Sequence, residues 1–214
     1  MFRLLIPVVL LAALVVCGPA DGQTPEWRLG GSANYVSAEA TSSAVGDTGY
    51  QLKLDSGPGV EFDASVMFTE RIGAEFSVGV SAHRLKAFGD ECCALDGGRV
   101  WLVPITALAQ YHHPIYGEWD PYIGLGVGWV PAFYSISGDL RDTGLERLDF
   151  DGDIGLAFQI GVNYQLDNHW YANLDLQSTQ VSLEARAKTA ETDYPPVELK
   201  INPFTIGLGF GYKF

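Results

Sequence analysis

The stretch Phe204-Thr205-Ile206-Gly207-Leu208-Gly209-Phe210-Gly211-Tyr212-Lys213-Phe214 sets an apolar or aromatic residue at every even position and a small or polar one at every odd position. Successive side chains of a β-strand point to opposite faces, so this alternation defines a strand with one broad apolar face and one nearly bare face. A soluble sheet would bury the apolar face and clothe the other with Lys and Glu. Here the second face is mostly glycine, which suits a narrow interior with the apolar face turned outward.

The same period runs back through the chain. Glu26 to Val36 sets Trp27, Leu29, Ala33 and Tyr35 against Arg28, Gly30, Ser32 and Asn34. Gly57 to Phe68 sets Val60, Phe62, Ala64 and Val66 against Glu61, Asp63, Ser65 and Met67, and after a turn Ile72, Ala74, Phe76, Val78 and Val80 oppose Gly73, Glu75, Ser77, Gly79 and Ser81. A fourth strand alternates from Trp101 to His112 with Pro104 on the polar side, and a fifth from Tyr122 to Trp129. The sixth places Asp153, Gly155, Ala157, Gln159, Gly161 and Asn163 opposite Ile154, Leu156, Phe158, Ile160, Val162 and Tyr164; the seventh places Asp175 on the polar face opposite Leu174 and Leu176.

Short turns at 69–71, 113–120 and 166–168 alternate with long connections at 37–56, 83–98, 135–151 and 185–197. That layout predicts an all-β fold, an eight-stranded antiparallel up-and-down transmembrane β-barrel with short periplasmic turns and longer external loops. Trp and Tyr at the segment ends match interfacial girdles. The rival is a soluble lipocalin-like barrel, which would put the apolar face inside; the composition of the polar face argues against it.

The N-terminus fits export. Met1-Phe2-Arg3 precedes an apolar run from Leu4 to Val16, too short for a spanning helix, which needs roughly 20 residues, but suited to a secretory signal. Small residues at Ala20 and Gly22 offer cleavage sites, so the expected organisation is a signal peptide at 1–22 and a barrel domain at 23–214. Cys17 lies in a lipoprotein-like setting, but Val16 stands where such signals want a small residue. Cys92 and Cys93 are adjacent in a connection, open to a vicinal disulfide, an intermolecular bond or no role. With 47% hydrophobic residues, 18% charged residues and a net charge of −13, the chain is a poor partner for nucleic acid.

Several ordered blocks carry a family resemblance. They are Ser56-Gly57-Pro58-Gly59-Val60-Glu61, Gln110-Tyr111-His112, Pro121-Tyr122-Ile123-Gly124-Leu125-Gly126-Val127-Gly128, Gly161-Val162-Asn163-Tyr164, and Asn202-Pro203-Phe204 leading to the terminal Phe214. In this order, over about 35–214, the chain resembles the OmpW family of small outer-membrane proteins. Two departures stand out. Ile154-Gly155-Leu156 replaces the family's Trp-Gly-Pro stretch, so a tryptophan constriction does not carry over, and Val103-Pro104-Ile105 holds a single proline where the family tends to have a pair. The resemblance implies a passive conduit for small, mostly hydrophobic molecules in the outer membrane of a Gram-negative-type bacterium.

The predicted inward face carries Arg28, Glu61, Asp63, Glu75, Asp153, Gln159 and Asp175, with Lys213. Such groups either plug the lumen or line a pore. Pro104 cannot donate to the wall, so it either sits at a strand end or loosens the wall enough for sideways exit of an apolar solute into lipid. Phe210, Tyr212 and Phe214 form the expected signal for the outer-membrane assembly machinery. Ser81 and His83 share a face without an adjacent acid, which leaves a lipid hydrolase the weaker reading. Asp149-Phe150-Asp151-Gly152-Asp153 misses the standard calcium-loop spacing. No metal and no cofactor is expected. The remaining alternative is a structural or surface-interaction barrel acting through its loops. Expected partners are membrane lipid and lipopolysaccharide, the assembly machinery and small hydrophobic solutes.

Overall fold

A computed structural model describes residues 25–38, 40–41, 51–88, 95–113, 117–136, 145–152, 154–189 and 197–214. The expected signal segment, Cys92, Cys93 and Asp153 lie outside them. The chain order is β1 (Glu26–Ser37), β2 (Ala40–Thr41), β3 (Gln51–Leu54), β4 (Gly57–Met67), β5 (Ile72–Phe88), β6 (Leu95–Leu102), β7 (Ile105–His112), β8 (Trp119–Trp129), β9 (Ala132–Ile136), β10 (Leu145–Gly152), β11 (Ile154–Gln165), β12 (Trp170–Gln180), β13 (Ser182–Thr189), β14 (Val197–Lys200) and β15 (Phe204–Lys213).

Antiparallel ladders link β1, β4, β5, β7, β8, β11, β12 and β15 in turn, and β15 pairs back onto β1 through Gly31↔Phe210 and its neighbours. These eight strands close a barrel. No sheet edge remains at this level, which is what allows strands to cross a bilayer. Side chains alternate as the sequence requires. Phe62, Leu208 and Phe210 are 70%, 64% and 61% exposed on the outer face, while Glu61, Gln159 and Asp175 are buried inside.

One end holds the tight turns. Phe68 and Thr69 donate backbone N–H groups to the carbonyl of Ile72, and Leu166 and Asp167 donate to that of Trp170. Backbone amides of Trp170 and His169, each 2.8 Å away, hold the Asp167 carboxyl below its ordinary range. The terminal Phe214 donates its N–H to the Trp27 carbonyl, so the closing strand ends at this rim.

The strands run further at the other end than the alternation predicts. The expected connections at 83–98, 135–151 and 185–197 contain the end of β5, the start of β6, β10 and β13, and that at 37–56 contains β2 and β3. The pattern inverts there. Inward residues become apolar (Leu85, Val100, Leu102), while Arg84 and Arg99 stand outside in water, so the lipid-facing signature ends before the strands do. Above this level β2, β3, β5, β6 and β9 form one sheet and β10, β13 and β14 another.

Candidate functional site: a polar lumen beneath an apolar layer

The inward residues of the closed ring form a connected polar network. Gln110 donates through Nε2 to Glu75 Oε2 at 2.7 Å and to Gln159 Oε1 at 2.9 Å, and Gln159 Nε2 donates to Glu75 Oε1 at 2.9 Å. Glu75 on β5 is thereby held by one amide from the neighbouring strand β7 and one from β11, two strands further round the wall. Nearby, Asn173 donates to the Tyr122 hydroxyl and to Asn163 Oδ1, both at 2.8 Å, and the Ser77 and Thr106 hydroxyls lie 2.8 Å apart.

Toward the short-turn rim the network becomes ionic. Arg28 meets Glu26 at 2.7 Å and Asp120 at 3.4 Å, and Asp120 is 2.9 Å from His112 Nδ1. Lys213 donates to Gln165 Oε1. Asp63 and Asp175 reach across glycines on neighbouring strands: a Cβ on Gly30 would lie 2.4 Å from Asp63 Oδ1, and one on Gly207 would lie 2.3 Å from Asp175 Oδ1. These glycines are spaces that the acids occupy.

Of the predicted lumen residues, Arg28, Glu61, Asp63, Glu75, Gln159 and Asp175 all line one central space; Asp153 lies outside the described residues. That space has a volume of about 20 Å³. A single water needs roughly 10–15 Å³ by the same kind of measure, so the lumen at this level is filled by its own side chains.

Above the plug the interior changes character. Val36, Leu54, Leu85, Val100, Leu102, Val130, Val181 and Ile201 are all buried, forming an apolar layer on the inner face of the outward extensions. The alternation does not reveal this layer, because Leu54 and Leu85 fall in expected connections, Val36 and Leu102 on the face expected to be polar, and Val100, Val130, Val181 and Ile201 between the expected strands and connections. A signal was present: Leu85, Val100 and Leu102 alternate with Arg84, Arg99 and Trp101 in the inverted phase.

Pro104 lies at the junction of the two zones, between β6 and β7. The register is continuous across it, since Ser81↔Leu102 and Val78↔Ile105 set Gly79 opposite Pro104. Gly79 N–H donates to the Pro104 carbonyl at 2.8 Å, and Val103 N–H donates to the Pro131 carbonyl at 2.9 Å. Neither bond can be returned, because proline has no N–H. The Val103–Pro104 pair therefore lacks one wall hydrogen bond on each flank, and the residue opposite Pro104 has no side chain.

Ser81 Oγ and His83 Nε2 are 2.8 Å apart, with the other ring nitrogen 2.9 Å from the backbone carbonyl of Asp55. The orienting position is held by a carbonyl rather than a carboxylate, and both side chains are sealed from solvent at 2% and 1% exposure. That arrangement ties β5 to the link between β3 and β4 and gives a nucleophile no access. The acidic run at 149–152 belongs to strand β10, and no trio of His, Cys, Asp or Glu among the described residues is placed to hold a metal ion.

A closed eight-stranded barrel with an apolar exterior, a polar plug and tight turns at one end is a bacterial outer-membrane protein. The chain belongs to the OmpW family, whose model matches residues 30–214. It is 32% identical over 199 residues to an uncharacterised outer-membrane protein of Sinorhizobium fredii, covering 92% of this chain and 83% of that one. It is 29% identical over 181 residues to outer membrane protein W of Vibrio cholerae, covering 81% and 82%. The fold is similar to the crystal structure of OprG from Pseudomonas aeruginosa, with a TM-score of 0.80 at 20% identity over 90% of this chain and 97% of that one.

Proposed function

We propose that the protein gives small hydrophobic molecules passive passage across the outer leaflet and releases them sideways through the wall at Val103–Pro104. The observation that carries this reading is the stacking of an apolar layer on a sealed polar plug. A solute entering from outside meets apolar side chains first, and the route straight down ends at a space of about 20 Å³. The wall beside that junction is short of two hydrogen bonds, so it is where the barrel yields at least cost. The plug candidates Arg28, Glu61, Asp63, Glu75, Gln159 and Asp175 act as a barrier to ions rather than as a pore lining. Phe210, Tyr212 and Phe214, with Phe210 and Phe214 exposed, serve as the assembly signal, and lipid and lipopolysaccharide surround the outer face.

The test is uptake by liposomes with and without the protein. A panel of apolar solutes is expected to equilibrate faster in proteoliposomes, and charged solutes of matched size are expected to show no difference. Equal acceleration of both classes, or of neither, would overturn the reading. The alternative, a surface-interaction barrel, draws support from the charged outer faces at Arg84, Lys86 and Arg99, and predicts no uptake of either class.

A further inference from the structure

The outer wall is not uniformly convex. Registers across four strands align Tyr111, Ile123, Ile160 and Leu176 in one row and His113, Pro121, Val162 and Leu174 in the next. The first row is bulky throughout. The second has short side chains at its centre, Pro121 and Val162, between His113 and Leu174. Below it, Trp119 and Tyr164 pair with ring centroids 4.8 Å apart. The result is a recess of about 500 Å³, bounded above by Ile123 and Ile160 and floored by Pro121, Val162 and the backbone of Gly161. On the inner side the Tyr122 ring fills the space over Gly161, so the floor is closed toward the lumen.

We infer that this recess is a binding site for one acyl chain of a glycerophospholipid from the periplasmic leaflet. Its volume lies in the range of small-ligand pockets, roughly 300–1,000 Å³. Its lining is almost wholly apolar, and it is continuous with the lipid-facing band of the barrel. The recess sits just above the 113–118 connection, at the short-turn rim, so the leaflet that reaches it is the periplasmic one. A chain lying in the groove buries apolar surface against fixed walls on several sides, where a convex wall offers one. The Trp119–Tyr164 pair marks the interface, where the headgroup remains in the polar zone beside His113.

The experiment is native mass spectrometry of the protein extracted from membranes in a mild detergent. The wild type is expected to retain one phospholipid. Val162→Trp, which fills the recess, is expected to reduce the retained fraction by roughly tenfold, as the lost apolar burial requires. Val60→Trp, the same enlargement on the lipid face of β4, is expected to retain it. Folding of each variant is read from heat-modifiable migration in gels. Should Val162→Trp fail to fold, Leu174→Ala, which removes a side wall, carries the test with the same direction. A wild type with no retained lipid, equal retention in the filled variant, equal loss in the Val60 variant, or a second copy of the chain held at this face would each overturn the proposal.

Discussion

Glu75 shows how a single residue holds the plug together. Both of its oxygens accept hydrogen bonds, from Gln110 at 2.7 Å and Gln159 at 2.9 Å, and the three side chains join strands on different sides of the lumen. Removing the carboxyl has two opposed effects: it takes one acid out of the cluster with Glu61, Asp63 and Asp175, and it takes acceptors away from two buried amides. The pair Glu75→Gln and Glu75→Leu separates them, because both lose the acid and only glutamine keeps an acceptor. A buried amide left without its acceptor costs roughly 1–3 kcal/mol, so Glu75→Leu is expected to be less stable than Glu75→Gln by about that amount. Urea unfolding in lipid vesicles measures the difference, and equal midpoints would show that the network adds nothing to stability.

At the scale of the element, the proline break makes the fourth strand unlike its neighbours. Pro104→Val restores an N–H opposite the Gly79 carbonyl without changing the register set by Ser81↔Leu102 and Val78↔Ile105, so the barrel is expected to fold normally and hydrophobic uptake to slow. Unchanged uptake would remove Pro104 from the exit. The strand was legible in sequence because alternation continues straight through the proline, with Leu102 and Thr106 buried on the same side. The outward extensions were not, for a physical reason. Strand alternation is visible only where the two faces meet different media, and beyond the bilayer the outside becomes wet while the inside becomes apolar. Leu85 then reads as a member of a polar connection beside Arg84, and Val100 beside Arg99 falls just short of the expected strand. The inward acids were readable because no lipid-facing strand tolerates Glu61, Glu75 or Asp175 on its outer face. Of their partners, Gln110 sits on the neighbouring strand β7, while Gln159 on β11 reaches Glu75 only because the sheet curls into a barrel.

The molecule as a whole is a sealed cylinder at the level of the bilayer. An eight-stranded barrel encloses an interior just wide enough for side chains to fill, and here Arg28, the carboxylates and the glutamines fill it, leaving about 20 Å³. A hydrated ion cannot cross such a layer unless the plug is displaced, which means breaking the Glu75 amide pair and the Arg28–Asp120 contact together. Purified protein in planar bilayers is therefore expected to give little or no ionic current at neutral pH, even in high salt. Apolar solutes taking the proposed route through the wall would carry no charge. Large, stable current steps that scale with salt concentration would show an open aqueous path through these residues and would turn Glu61, Asp63 and Asp175 from barrier groups into pore-lining ones.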